Sequence, residues 1–417
     1  MSKTNLTRPH RLLILCWGYS IHARRRAQLF IDDPRFEVTV VSTHDYAFAN
    51  ANNVLLTAAK RAPVIATNAG KRPSSLLPAP VRAFARQLLN LLGLASELRT
   101  MARDLATLRE TVRQVRPDAL LLQTLQYPSF LAYRLPREIP MAVTFWNGDL
   151  TYFAKWTGVE MLTKKRLVMH GLRRVNAITV NSRTALDAAV SLGAAADKIT
   201  LVRYPGADLE LFYPHPKDQA RERLRIGARH VVLCPRGLGT FFNSDIIVEA
   251  AAKMISRHPD TLLLFISGVG GREEWERHIK LADRLGIAEK MRWDGQIPWE
   301  DMPWYYCAAD VMVSVKTADS CPNCMIEAMA CGTPVVMSDT PQNREWIEDG
   351  TNGFLCPPRD PGVIADRILK LLDGQHDLVE RFARICLDKV RRDANSAINV
   401  TRIKDLVAGL AERQRHD

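Results

Sequence analysis

Residues 311–338 read VMVSVKTADSCPNCMIEAMACGTPVVMS. Two β-branched runs, 311–315 and 333–338, bracket a polar loop and a stretch with helical spacing, and Pro322 suits the first turn of a helix. The segment therefore reads as strand, loop, helix, strand, the crossover that two parallel strands require. The same alternation extends in both directions. RLLILCW, EVTVVS, ALLLQ, MAVTFW, AITV and ITLV occupy the first half, and HVVLCP and TLLLFIS join the two runs above in the second. Between the later strands lie DIIVEAAAKMISRH, REEWERHIKLADRL and DPGVIADRILKLLD, whose apolar residues recur at three and four and whose starts carry Asp or Glu. This pattern predicts two doubly wound α/β units in tandem. The strand at 199–202 runs into Pro205, Gly206, Pro214 and Pro216, and the periodicity restarts at His230. The expected domains are residues 1–205 and 206–394, with 395–417, helical in pattern, a candidate to pack back onto the first.

Composition narrows the class. The 417 residues are 47% hydrophobic and 24% charged, which excludes disordered, collagenous and disulfide-scaffold chains. Residues 1–205 hold 29 basic and 13 acidic side chains, whereas 206–417 hold 28 and 32, so the excess of +12 belongs to the first half. Such asymmetry points to an anionic partner: nucleic acid, an anionic membrane surface or an acidic substrate. Zinc-finger spacing, a basic-zipper heptad and an RNP-like aromatic motif are all missing from the sequence, so nucleic acid is not the expected partner. Residues 81–116 carry seven arginines among leucines, for which a solvated helix face is the plain alternative. The apolar run before Gly18 lacks a small-residue cleavage site and reads as a strand rather than a secretory signal. The longest uncharged stretch, 119–133, falls short of the ~20 apolar residues a spanning helix needs. Eight cysteines without an export signal read as reduced thiols of a cytoplasmic chain. Cys321 and Cys324 form a CxxC with no second pair or nearby histidine, so packing rather than zinc is the expected use.

The loop after 311–315 concentrates the chemistry. Asp319 falls in the loop and Glu327 about one turn inside the helix, its side chain tilted back towards the amino end. The free N–H groups near Asn323 and Cys324 make an anion site suited to a diphosphate, and an acidic side chain beside it can accept hydrogen bonds from ribose hydroxyls. From spacing alone, Asp319 is equally read as a helix-start carboxylate and Glu327 as a surface side chain.

The block 319–361, DSCPNCMIEAMACGTPVVMSDTPQNREWIEDGTNGFLCPPRDP, resembles the donor-binding block of the retaining, family-4-type glycosyltransferases of GT-B fold. That family carries an acidic residue, seven intervening residues, then Glu leading into EAMAxGxPVV and later NGF or NGL. In the same order, TLLLFISGVG resembles its strand and glycine turn, MRWDGQIPWEDMPWYYCAADVMVSV its base-side loop and helix, and GADLELFYP its GVDxxxFxP linker. SIHARRRAQL and TFWNGDL resemble its acceptor-side segments.

The resemblance implies two Rossmann-like domains facing each other across a cleft, the first binding acceptor and the second binding a nucleotide-sugar donor. It implies that Glu327 holds the ribose, Asp319 contacts the donor sugar, and amides at Ser320, Asn323 and Cys324 face the diphosphate. It also implies that Arg236 neutralises the leaving group and that Gly18, Gly268, Gln296 and Ile297 complete the donor site. His22, Trp146 and Asp149 face the acceptor, Asp149 with a catalytic part; capping or packing is the plain alternative for each. Such enzymes generally work without a divalent metal, and the sequence has no Asp-x-Asp; Asp208-Leu-Glu210 falls in the linker. The implied reaction retains anomeric configuration by front-face attack on a glycan or lipid-linked acceptor, in cell-surface polysaccharide or glycolipid assembly. The implied location is the cytoplasm, with peripheral contact to the anionic inner face of the membrane. Three departures stand out. Phe241 and Phe242 occupy the stretch where the family usually has a lysine, Asp319 replaces the commoner Glu, and Trp146 stands where many relatives have His. A sugar-nucleotide-binding protein without transfer activity is the alternative.

Overall fold

Leu12 to Cys16 are buried on both faces, as the middle strand of a parallel sheet covered by helices must be. They belong to β1, His10–Cys16, in a computed structural model that describes residues 8–56, 99–145, 158–317, 319, 321–374 and 376–416. The chain divides into two compact units, Met1–Val180 with Asp187–Thr200 and Ile403–Asp417, and Asn181–Leu186 with Leu201–Arg402.

The first unit is built on seven strands in the order β3-β2-β1-β4-β5-β6-β7. After β1 these are β2 Phe36–Ser42, β3 Asn52–Leu55, β4 Ala119–Leu122, β5 Met141–Phe145, β6 Ala177–Val180 and β7 Ile199–Leu201. β1 runs parallel to both neighbours, pairing His10 with Phe36 and Leu12 with Ala119. Helix α1, Ile21–Ile31, starts at Ser20, whose Oγ accepts the Ala23 N–H at 3.3 Å. Residues 99–115 are helical, and α2 spans Gly158–Arg174.

The second unit carries a six-stranded sheet, parallel throughout, in the order β10-β9-β8-β11-β12-β13. Its strands are β8 His230–Cys234, β9 Thr261–Phe265, β10 Met291–Trp293, β11 Val311–Ser314, β12 Val335–Ser338 and β13 Phe354–Cys356. The crossovers include α3 Ser244–Arg257, α4 Gly271–Arg284, α5 Asn323–Ala330 and α6 Pro361–Leu372. Ile246, Ile247 and Ala250 of α3 share one apolar cluster with Ile364, Ile368 and Leu369 of α6. Each large side chain so buried contributes about 1.5–3 kcal/mol. Asp360 starts α6 by accepting the Val363 N–H at 3.0 Å, with Pro361 at the first helical position. Two further helices, α7 His376–Asp393 and α8 Ser396–His416, complete the chain.

The ends of α8 are bonded to different parts of the fold. Asn399 donates to the Arg203 carbonyl at 3.1 Å. Farther along, Lys404 lies 3.1 Å from Asp33, Asp405 pairs with Arg35 at 2.8 Å, and Arg415 donates to Asp118 at 2.7 Å. Asp118 also accepts the Arg11 N–H at 2.8 Å. Among the described residues, no helix is long and apolar enough to cross a membrane.

Candidate active site

In an open parallel sheet, ligands bind beyond the carboxyl ends of the strands where strand order reverses. In the second unit that point lies between β8 and β11. The loop after β8 supplies Arg236 and the loop after β11 supplies Lys316 and Asp319.

These three charges meet. Arg236 Nη2 is 2.5 Å and Lys316 Nζ 3.7 Å from Asp319 Oδ2, and all three side chains are 20% exposed or less. Arg236 Nη1 also points to Cys324 Sγ at 3.6 Å. Burial opposes the charge on Arg236, and the Asp319 carboxylate beside it offsets that cost. Burial pushes the Cys324 thiol up, leaving it a neutral neighbour. The Lys316 ammonium sits over the rings of Phe241, 4.5 Å from the centroid, and Phe242, at 5.6 Å.

The two loops are tied together. Asn243, in the left-handed region at φ 52°, donates its amide to the Val315 carbonyl at 2.8 Å and to Thr317 Oγ1 at 3.1 Å. The neighbouring Ser244 Oγ accepts the Gly239 N–H at 2.7 Å and bonds the buried His278 ring at 2.8 Å. At Gly237 a Cβ would fall 2.3 Å from the Phe242 ring, so a larger residue there would push that ring aside.

Helix α5 follows Pro322 with no side-chain cap at its amino end. Its first-turn amides, near Asn323 and Cys324, are the kind of donors an anion meets. Glu327 lies farther along, where its carboxylate accepts from the Tyr306 hydroxyl at 3.0 Å and from Trp299 Nε1 at 3.5 Å. α5 ends in a turn in which Thr333 donates to the Ala328 carbonyl at 2.9 Å and Gly332 to that of Met329 at 3.2 Å, with Gly332 at φ 74°. Around the same sheet, Gly268 and Gln296 meet: a Cβ on Gly268 would lie 2.8 Å from Gln296 Oε1. Ile297 packs beside them on the apolar cluster that holds Tyr306 and Met325.

In the first unit the corresponding reversal lies between β1 and β4. Gly18 makes the turn after β1, where a Cβ would meet Ser42 Oγ at 2.2 Å and the His44 carbonyl at 3.0 Å. His22 is exposed on the first turn of α1. Trp146, Asp149 and Ser320 lie outside the described residues.

The second unit thus gathers Arg236, Asp319, Asn323, Cys324 and Glu327, with Gly268, Gln296 and Ile297 on its neighbouring strand ends. Sequence reading passed over Lys316, Asn243, Tyr306 and Trp299. Of the four, only Lys316 carries a charge, the one signal that could have drawn notice. The eight cysteines are buried thiols, and among the described residues no group of three or more His, Cys, Asp or Glu side chains is placed to hold a metal ion.

Two Rossmann-like units, the second with an acidic pair and a cation at its switch point, define the GT-B class of glycosyltransferase folds. Residues 229–374 match the family described as Glycosyl transferases group 1, and residues 18–205 match the Glycosyl transferase 4-like domain. The chain belongs to this glycosyltransferase family. It is 32% identical over 204 residues to D-inositol 3-phosphate glycosyltransferase 1 of Catenulispora acidiphila, covering 47% of this chain and 49% of that protein. It is also 32% identical over 238 residues to the D-inositol 3-phosphate glycosyltransferase of Frankia alni, covering 55% and 58%. The matched stretch spans about half the length of these curated relatives. Among solved structures, Anabaena HepE in complex with UDP superposes with a TM-score of 0.72 at 17% identity, covering 96% of this chain and all of that one. The sucrose-phosphate synthase of Thermosynechococcus elongatus gives 0.69 at 16%, covering 96% and 99%.

Proposed function

We propose that the protein transfers a sugar from a nucleoside-diphosphate donor to a glycan or lipid-linked acceptor, with retention of configuration. The observation that carries this reading is the meeting of Arg236, Asp319 and the uncapped start of α5 at the switch point, with Glu327 held by Tyr306 one turn on. In the reaction, the acceptor oxygen bonds to the anomeric carbon as the bond from that carbon to the β-phosphate oxygen breaks. The electron pair stays on the departing diphosphate, which takes the acceptor proton. Arg236 and the α5 amides face the growing charge, where fixed donors in a closed site are most effective. Glu327 accepts the ribose hydroxyls and Asp319 those of the donor sugar. Residues 1–205 are then the acceptor side, with His22, Trp146 and Asp149 its contacts, and residues 206–394 the donor side with Gly268, Gln296 and Ile297 around the base. The UDP bound to HepE makes UDP-sugars the first donors to try.

A panel of nucleoside diphosphates and their sugars, read by thermal shift, tests donor binding. At a hundredfold excess over Kd the bound form gains about 2.7 kcal/mol. Transfer to an acceptor panel then tests the chemistry; donor binding without transfer or donor hydrolysis would favour a binding protein instead.

We also propose that the first half of the chain rests on the anionic inner face of a membrane. Helix α2 supports this reading with Leu162, 52% exposed, next to exposed Lys165 and Arg166. Each basic residue near such a surface is worth about 1 kcal/mol. Co-sedimentation with anionic but not neutral liposomes, lost as salt rises, is expected; equal partition to both at low salt would end the idea.

A further inference from the structure

We propose that Lys316 is a second diphosphate-facing cation of the donor site, standing beside Arg236 where charge grows as the sugar leaves. The inference rests on the donor reading above and adds a residue to it.

The placement of Lys316 is built rather than incidental. Its backbone is held on both sides: Asn243 bonds the Val315 carbonyl at 2.8 Å, and Ser338 Oγ donates to the Lys316 carbonyl at 2.6 Å. Ser338 is itself held by Asn343, whose amide donates to the Ser338 carbonyl at 2.8 Å and to its Oγ at 3.3 Å. Loops after β8, β11 and β12 thereby fix one lysine, whose side chain is 13% exposed. An ordinary surface lysine has no such frame and keeps its ammonium in water.

The charges around it suit a polyanion. Arg236, Lys316 and Asp319 together sum to one positive charge, beside the positive end of α5. A nucleoside diphosphate gains one negative charge when the bond to the anomeric carbon breaks and its electron pair remains on the β-phosphate oxygen. Phe241 and Phe242 present their rings to the ammonium. Ring faces attract a cation without neutralising it, so it stays available to the ligand. This also accounts for a phenylalanine, Phe241, that is 62% exposed beside a charged cluster. The rings occupy the stretch where the family resemblance expects a lysine, and the adjoining loop brings an ammonium to the same place. Burial lowers the Lys316 pKa, Asp319 opposes that, and Arg236 reinforces it; the buried Cys324 thiol is the remaining titratable neighbour. An ammonium of lowered pKa hydrogen-bonds a developing phosphate charge more strongly.

The test compares the wild-type chain with Lys316→Met and Lys316→Arg by calorimetric titration of UDP, GDP, ADP and the matching nucleosides. Lys316→Met should lose about tenfold in affinity for the diphosphate that wild type binds, with no change for the nucleoside. Its kcat for donor turnover should fall roughly a hundredfold. Lys316→Arg should keep the affinity and move the alkaline limb of kcat/KM to higher pH, because guanidinium does not titrate there. Phe241→Leu, on an exposed position that leaves folding intact, should cost the diphosphate a few-fold. Wild-type affinity and kcat in Lys316→Met would overturn the assignment of Lys316 alone. A wild-type chain that binds none of the diphosphates would overturn the donor reading and this inference together.

Discussion

Tyr306 is fully buried, and its hydroxyl donates to Glu327; burial and the Glu327 carboxylate both hold its pKa well above the ordinary phenol value. The phenol is therefore a permanent donor that aims the carboxylate. Glu327→Gln should weaken donor binding by about 1.5–3 kcal/mol, the range for a hydrogen bond to a charged group, while the thermal melt of the free protein stays near wild type. Tyr306→Phe should cost about 1 kcal/mol in donor affinity and raise KM more than it lowers kcat, since it positions a binding group. Calorimetry and steady-state kinetics read both, and unchanged donor affinity in Glu327→Gln would remove that residue from the site. Arg236→Ala acts differently: kcat should fall roughly 10²- to 10³-fold with a smaller loss in affinity for free nucleoside diphosphate. Turnover assayed in EDTA should then match turnover in Mg²⁺, since Arg236 and the α5 amides supply the positive charge. Restoration of activity only by added metal would contradict that expectation. At this scale the acidic pair and Arg236 were legible as candidates through the family resemblance, since spacing alone left Asp319 open as a helix-start carboxylate and Glu327 as a surface side chain. Tyr306, Trp299 and Asn243 were not, because a buried aromatic or amide reads the same whether it fills a core or aims a carboxylate.

The elements that position the site are loops clamped by single side chains. Asn243 is 3% exposed and donates to the carbonyl of Val315, so Asn243→Ala would leave that buried acceptor unpaired. The expected loss is about 1–3 kcal/mol in urea unfolding, with a rise in donor KM as the loops after β8 and β11 separate. Asn243→Gly relieves the left-handed backbone yet loses the same bond, so it should recover only part of the stability. Equal stability of wild type and both variants would show the clamp to be idle. The long amphipathic crossovers α3, α4 and α6 could be read directly from apolar spacing, and they lie where DIIVEAAAKMISRH, REEWERHIKLADRL and DPGVIADRILKLLD fall. Strands β3, β10 and β13 could not. They have four, three and three residues, and NNVL, MRW and FLC are too short to display a period. Pairing with a longer neighbour, as Phe354 to Cys356 do with β12, makes them strands.

For the molecule as a whole, two carboxylates that α8 helps to hold, Asp33 and Asp118, bear on stability in acid. Burial alone would raise the Asp33 pKa, but bonds from Arg35 and Lys404 win and lower it to about 2. A depressed carboxylate pKa contributes stability that is complete above the unfolded value and is lost as pH falls through the folded one. Asp33→Asn should therefore be about 2 kcal/mol less stable than wild type at pH 7, with the gap closing between pH ~4 and ~2 in urea melts. Arg415→Met, which strips a partner from the buried Asp118, should cost a similar amount at neutral pH and show the same convergence in acid. A gap independent of pH in both variants would assign these residues to packing alone. The alternation of strand and helix patterns made the paired α/β architecture readable at this scale, whereas Lys404 and Arg415 lie hundreds of residues from Asp33 and Asp118 and leave no local signal. The same return of residues 403–416 to the first sheet has a consequence for biosynthesis. A ribosome that has extruded residues 8–200 has made every strand of that sheet but none of Lys404, Asp405 or Arg415, so Asp33 and Asp118 must wait, incompletely neutralised, while the whole second sheet is translated. The first unit therefore gains its last contacts only after the second sheet has been translated, and a nascent chain arrested within residues 206–394 should expose the first unit to protease.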